Sequence, residues 1–138
     1  MRKDWDTYFM DIANMVKERS TCPRLHVGAV IVKDKRIKST GYNGSPANLP
    51  HCEDVGCLMI NNHCKRAVHA EINAIMGCSP EEREGATIYV TAQPCIDCAK
   101  AIISSGIKRV VYENPYKPDY DFFQEAPWIE VVRLTNKM

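Results

Sequence analysis

The sequence predicts an α/β domain built on a sheet whose later strands run parallel. Three observations predict it. The second half alternates strand-type and helix-type segments, the order that crossovers between parallel strands require. Short apolar runs of strand length recur at 27–32, 86–91 and 108–112. The first twenty residues instead place their apolar side chains at helical spacing. The chain of 138 residues is expected to form one domain spanning 1–138, of a size that buries a core without disulfides.

Trp5, Tyr8, Phe9, Ile12, Ala13 and Val16 form one helical stripe, so residues 4–19 read as an amphipathic helix facing the core. Ser20 to Pro23 break it. Residues 27–32 read as a strand, 33–35 as a hairpin turn and 36–41 as the return strand. Residues 41–64 carry no period and read as an irregular loop, a length that points to a function or a metal staple. Helical character returns from Ala67 to Met76 and stops at Gly77 and Ser79-Pro80. Residues 86–91 are a strand. A helix runs from Pro94 through Ile103 and closes at Gly106. A strand over 108–112, a polar loop over 114–121, a short helix near 121–126 and a last strand near 129–134 complete the order.

Composition narrows the function classes. A hydrophobic share of 45%, a charged share of 25% and a formal net charge of +1 are those of an ordinary globular protein. A nucleic-acid partner calls for a basic excess that this balance does not supply. No apolar stretch is long enough to span a bilayer, and the charged start Met1-Arg2-Lys3-Asp4 is not a signal peptide. The expectation is a cytoplasmic protein with no membrane and no nucleic-acid partner. In a reducing compartment, seven cysteines beside four histidines point to metal rather than disulfides.

Two short pieces carry the chemistry. His69-Ala70-Glu71 opens one helical segment, and Pro94-Cys95-Ile96-Asp97-Cys98 opens another. Cys95 and Cys98 are three apart, so both thiols share one side of a first helical turn. A helix N-terminus favours thiolate, the metal-binding form. With His69 they make three protein ligands, which leaves a fourth zinc position open and marks a catalytic site. Zinc lowers the pKa of bound water from ~15.7 to ~7. The expected reaction is attack of that water on C4 of a cytosine ring, with Glu71 carrying the protons. His-x-Glu paired with Pro-Cys-x-x-Cys is the signature of zinc-dependent nucleobase deaminases. One constraint stands against it: on an ideal helix, residues two apart point to roughly opposite sides, so His69 must reach the metal from the helix mouth.

Over essentially its full length the chain resembles the deoxycytidylate (dCMP) deaminases of the cytidine deaminase family. The matching pieces include Arg19 to Pro23, Val27-Gly28-Ala29, Gly41-Tyr42-Asn43-Gly44-Ser45, His69 to Ile75, Tyr89-Val90-Thr91, Pro94 to Lys100 and Gly106-Ile107-Lys108. It looks most like the bacterial and phage-type members, including those named as a late-competence operon protein. The resemblance implies a three-layer α/β/α fold around a five-stranded mixed sheet. It implies hydrolysis of dCMP to dUMP for thymidylate synthesis by a homo-oligomer, a hexamer or a dimer, activated by dCTP and inhibited by dTTP. It implies that Asn43 hydrogen-bonds the substrate and that the backbone of Ala70 faces the pyrimidine carbonyl. Asn43 is equally a turn residue, since Asn-Gly tolerates left-handed backbone.

Family members of this type often hold a second zinc near residues 51–64. Cys22, Cys52, Cys57 and Cys64 supply a closed four-thiolate set of the structural kind, which leaves His63 free to face the active site. In the rival assignment His63 or His51 replaces one cysteine, and in a third these are unconnected buried thiols. Cys78 has no clear partner. A nucleotide phosphate needs donors; Arg24, His63, Lys65, Arg66, Lys117 and Tyr120 are candidates, with His63 and Tyr120 first. Three other functions stay open: deamination of a nucleoside or nucleic acid, a zinc-stapled interaction module, and a nucleotide sensor without turnover.

Overall fold

The computed structural model describes residues 2–135; Met1 and residues 136–138, the ends of the expected 1–138 domain, lie outside them. In chain order the elements are α1 Trp5–Val16, β1 Gly28–Lys33, β2 Arg36–Tyr42, α2 Cys52–Val55, β3 Met59–Ile60, β4 His63–Cys64, α3 Ala70–Met76, α4 Pro80–Arg83, β5 Thr87–Ala92, α5 Ile96–Ser104, β6 Arg109–Asn114 and β7 Glu130–Arg133. Five strands form one mixed sheet in the order β2-β1-β5-β6-β7. β1 is antiparallel to β2 and β5, while β5, β6 and β7 run parallel.

Side-chain alternation sorts the central strands into two layers. Ala29, Ile31, Ile88, Val90 and Val110 face a core shared with Ala70 and Ala74 of α3 and Ile102 of α5. Val30, Val32, Tyr89 and Val111 face the opposite core, shared with Phe9, Met10 and Ala13 of α1. The sheet is therefore covered on both sides, and β1 and β5 read as continuous apolar runs for that reason. Each fully buried Ile or Val contributes roughly 1.5–3 kcal/mol by leaving water.

Two glycines set the distance between layers. A Cβ on Gly28 would lie 2.1 Å from the Ala13 carbonyl oxygen, so α1 crosses β1 in direct backbone contact. A Cβ on Gly41 would lie 2.3 Å from the Ala70 carbonyl oxygen and 2.5 Å from the Ala74 nitrogen, which presses α3 onto β2 from the other side. Across the α1 face, Asp6 accepts hydrogen bonds from both Nη atoms of Arg109, each at 2.8 Å, and from the Tyr89 hydroxyl at 2.7 Å. This cluster ties α1 to β5 and β6.

Several boundaries differ from the expectations. The first helix is α-helical only to Val16; residues 17–19 tighten into a 3-10 turn, a common way for a helix to end. Residues 41–64 are not wholly irregular. They hold α2 and a two-stranded sheet of β3 and β4, turned by Asn61 and Asn62 at φ 51° and 66°. Strands of two residues carry no period to read, but Asn-Asn is a turn signal because Asn tolerates left-handed backbone. After Cys78 the chain forms α4 with a full capping box between Ser79 and Glu82. The short helix expected near 121–126 is a 3-10 helix over Phe122–Glu125. No helix among the described residues is long and apolar enough to cross a membrane.

Candidate functional site

The end of the sheet where β2 and β5 finish and β1 begins carries a cavity of about 490 Å³. His69, Glu71 and Cys95 line its floor, together with Asn43. His69 and Cys95 occupy equivalent places: each is the N-cap residue of its helix, α3 and α5, with extended backbone. This removes the constraint on the His69–Glu71 pair. His69 has ψ 150°, so Glu71 is not two helical steps from it, and both side chains reach the same floor. Cys98 sits at the third helical position of α5 and turns back toward Cys95.

Three candidate ligand atoms converge. His69 Nδ1 lies 3.3 Å from Cys98 Sγ and 3.5 Å from Cys95 Sγ, and all three lie within 4.8 Å of one another. Tetrahedral zinc with Zn–N of ~2.05 Å and Zn–S of ~2.3 Å places N and S about 3.5 Å apart. The donor set fits that ion. The electrostatics fit as well. A hydrogen bond from Cys98, joined by one from His69, holds the Cys95 thiol down at about 4. The hydrogen bond to Cys95 raises His69, and the same neighbour pushes Cys98 up.

Glu71 is only 5% exposed. Burial lifts its carboxyl to about 7, against the downward pull of its own backbone N–H and of His69. A carboxyl at that level both takes and returns protons near neutral pH.

Asn43 is buried, and its Oδ1 accepts a hydrogen bond from the Ala70 N–H at 2.9 Å. Because the partner is a donor, the amide orientation is fixed, with Nδ2 as the end left for a ligand. The Ala70 N–H is thereby engaged, so in this structure it meets Asn43 and not the open cavity. The segment before His69 is held by a Gly44–Val68 bridge, and Asn73 Nδ2 donates to the Tyr42 carbonyl at 2.9 Å.

The four remaining sequence candidates for metal also meet. Cys22, Cys52, Cys57 and Cys64 bring their sulfurs within 4.8 Å of one another. Cys22 and Cys57 are 3.9 Å apart and Cys52 and Cys64 3.5 Å apart. Disulfide sulfurs lie about 2.05 Å apart, while four thiolates on zinc lie about 3.8 Å apart. Burial opposes ionisation of Cys64, but backbone N–H groups of Ala67 and Arg66 outweigh it and hold the thiol at about 6. Burial pushes Cys52 up. The two histidines of the rival assignment lie elsewhere: His51 Nδ1 is 3.0 Å from Thr21 Oγ1, and His63 lines the large cavity. Cys78 is buried apart from both groups.

Of the phosphate candidates, Arg24, His63 and Lys65 line the cavity. Arg66 donates from Nε to the Gly56 carbonyl. Tyr120 does not line the cavity; its hydroxyl pairs with the Glu125 carboxylate. Tyr116 lines it instead, with its N–H donated to Gln93 Oε1 at 3.0 Å. Gln93, Asn62 and Leu25 are lining residues that sequence reading missed. For Gln93 the signal was its place between a strand end and the Pro94–Cys98 motif. For Asn62 and Leu25 it was adjacency to a suspected ligand.

A family profile for the cytidine and deoxycytidylate deaminase zinc-binding region matches residues 3–114. ComE operon protein 2 of Bacillus subtilis (strain 168) is 55% identical over 118 residues, 84% of this chain and 62% of that protein. This chain thus spans less than two thirds of that relative's length. The deoxycytidylate deaminase of Mycobacterium phage D29 is 46% identical over 122 residues, 80% of this chain and 95% of the phage protein. The dCMP deaminase of cyanophage S-TIM5, solved in complex with dCMP and dUMP, superposes with a TM-score of 0.79 at 27% identity, covering 97% of this chain and 99% of that one. The same three-layer plan, the motifs at its two helix mouths and these matches agree: the chain belongs to the cytidine and deoxycytidylate deaminase family.

Proposed function

We propose that this chain hydrolyses the C4 amino group of dCMP, giving dUMP and ammonia. One observation carries the reading: the ligand atoms of His69, Cys95 and Cys98 meet where His69, Cys95 and the buried Glu71 line the floor of one cavity. The first three would hold a zinc ion, which when bound supplies the Lewis acidity that lets water act near neutral pH. Glu71 takes a proton from the attacking water, delivers it to N3 of the ring, and passes one to the departing amine. Burial tunes it for both directions. Asn43 offers Nδ2 to the pyrimidine and is oriented by the Ala70 N–H. Arg24, His63 and Lys65 supply donors for the phosphate, and Tyr116 forms another part of the wall.

Cys22, Cys52, Cys57 and Cys64 would hold a second zinc that fastens the 51–64 segment to the chain after α1. Supply of dUMP to thymidylate synthesis in the cytoplasm, activation by dCTP, inhibition by dTTP and a homo-oligomeric assembly are supported by the family resemblance alone. Titration of each effector during turnover, with mass measurement in solution, tests them.

The experiment for the central reading is ammonia release from dCMP, set beside cytidine, deoxycytidine and RNA. Glu71→Gln is expected to keep metal and fold and to lose at least ~10²–10⁴ in turnover, the usual worth of a general acid–base group. Retained turnover in Glu71→Gln, or faster deamination of RNA or cytidine than of dCMP, overturns it.

A further inference from the structure

The four-thiol cluster stands outside the reaction centre, yet two of its members face the substrate cavity. Cys22 and Cys64 both line it. The polar donors of the wall are their near neighbours in sequence: Arg24 lies two residues after Cys22, and His63 and Lys65 flank Cys64. The cluster therefore joins the two chain segments that present charge to the cavity mouth.

Burial cannot hold one of those segments in place. The β3–β4 hairpin has two residues per strand, and its apolar side chains point outward: Leu58, Met59 and Ile60 are 46%, 42% and 49% exposed. A two-stranded hairpin without a core beneath it is marginal in water. Among the described residues, no backbone hydrogen bond joins 57–65 to another element; the Lys65 N–H bond to Leu58 is internal. The links that remain run through sulfur, Cys57 to Cys22 at 3.9 Å and Cys64 to Cys52 at 3.5 Å. Cys52 in turn starts α2, which Thr21 anchors through its carbonyl to the Glu53 N–H.

We propose that the four-thiol centre is a positioning device for the anion-binding wall of the cavity, so that its occupancy governs affinity for a nucleotide phosphate and leaves the chemical step in place. The proposal rests on the reading of the cavity as a nucleotide site. Its physical basis is preorganisation. A wall fixed before binding loses no freedom when the phosphate arrives, whereas a loose one must be ordered at the expense of affinity. The floor residues His69, Glu71 and Cys95, and Cys98 behind them, belong to α3, α5 and their caps, which the main core holds independently.

The test uses Cys57→Ser in the full chain, because Cys57 belongs to the cluster but not to the cavity lining. Four readouts are expected. Zinc per chain falls by one. The Kd for dUMP by calorimetry rises tenfold or more. kcat on saturating dCMP stays within threefold. KM for deoxycytidine, which lacks the phosphate, moves little. Cys57→His, which restores a zinc ligand, recovers the zinc and the affinity. Should Cys57→Ser not fold, hydrogen exchange on the wild type under graded chelation decides: amides 58–65 are expected to lose protection before those of 70–76 and 96–104. Loss of one zinc with unchanged dUMP affinity overturns the proposal, and so does an equal fall in kcat with both substrates, or simultaneous exposure of all three segments. Calorimetry of dUMP on the wild type separates this from the function itself. No binding there refutes the nucleotide reading; binding indifferent to Cys57 refutes the positioning device.

Discussion

Asn43 Oδ1 accepts the Ala70 N–H at 2.9 Å, joining the end of β2 to the first turn of the helix that carries Glu71. Asn43→Ala leaves that buried donor without a partner, at a cost of about 1–3 kcal/mol. Thermal melting is expected to fall by roughly 4 °C per kcal/mol. Asn43→Asp keeps an acceptor for Ala70 but replaces the Nδ2 donor by an acceptor beside Glu71. It is expected to fold with a smaller loss and still to bind dCMP at least tenfold more weakly. A melt and a KM for each variant check this. Equal KM values in the aspartate variant and wild type would mean that the amide serves the fold alone.

Gly28 and Gly41 offer a matched pair. Each added methyl would collide with helix backbone, 2.1 Å from Ala13 O in one case and 2.3 Å from Ala70 O in the other. Both alanine variants are expected to lose about 1–3 kcal/mol by overpacking. Only Gly41→Ala displaces the helix that bears Glu71. A shift of an ångström in a catalytic group costs about 10²-fold, so turnover is expected to fall by roughly that factor in Gly41→Ala. In Gly28→Ala, where the displaced helix is α1 on the other face, kcat at a temperature well below the melt is expected to stay near wild type. Similar losses in both would show that the two layers are not mechanically separate.

The order of the elements of the main sheet and the helices beside it, the two helix mouths and both metal groupings were legible because local pattern encodes them: helical spacing for the helix read over 4–19, apolar runs for the strands, Cys-x-x-Cys after a strand. What was not legible depends on contacts between distant positions or on backbone that breaks the period. The divergence of His69 and Glu71 on an ideal helix required His69 to sit at the helix mouth, and only its extended N-cap backbone, which no local pattern encodes, shows how both side chains reach one floor. The β3–β4 hairpin is too short to show alternation. Tyr120 was ranked above Tyr116, and the structure reverses that order, because Gln93, more than twenty residues before the loop, holds the Tyr116 backbone at the cavity. The Asp6–Arg109 pair spans 103 residues and leaves no mark on either local sequence.

That pair gives a dependence on pH. Hydrogen bonds from Arg109, helped by the Tyr89 hydroxyl, hold the Asp6 carboxyl below the usual carboxylate range, against a partial opposing effect of burial. The folded state thus favours the ionised form. Its contribution is fully present above the unfolded pKa near 3.8 and is lost as pH falls through the lower folded value. The side chains are partly exposed, so solvent screening reduces the pair's worth. Asp6→Asn is expected to cost about 1–2 kcal/mol at pH 7, given charge-assisted bonds discounted for exposure. The gap in melting temperature between wild type and Asp6→Asn should narrow toward pH 3. A gap that stays constant from pH 7 to pH 3 would show that packing, rather than charge, accounts for the loss.

Arg24 and Lys65 line the cavity from segments 41 residues apart in sequence, and neither forms an ion pair among the described residues. Each is therefore a free cation beside the expected phosphate, while Asp97 on the same lining lies 3.5 Å from Lys100. Removing one charge-assisted contact to a phosphate costs about 1.5–3 kcal/mol, a factor of roughly ten to a hundred in affinity at 1.4 kcal/mol per decade. Arg24→Ala and Lys65→Ala are each expected to raise KM for dCMP within that range, with kcat changed little, since neither touches the reacting ring. Arg24→Lys should not rescue fully, because a point charge replaces the two-pronged guanidinium. Deoxycytidine supplies the control: its KM should be indifferent to both alanine substitutions. If KM for deoxycytidine rose in parallel with that for dCMP, these side chains would be shaping the wall rather than meeting a phosphate, and recognition of the anion would have to lie with His63 and the loop that carries Tyr116.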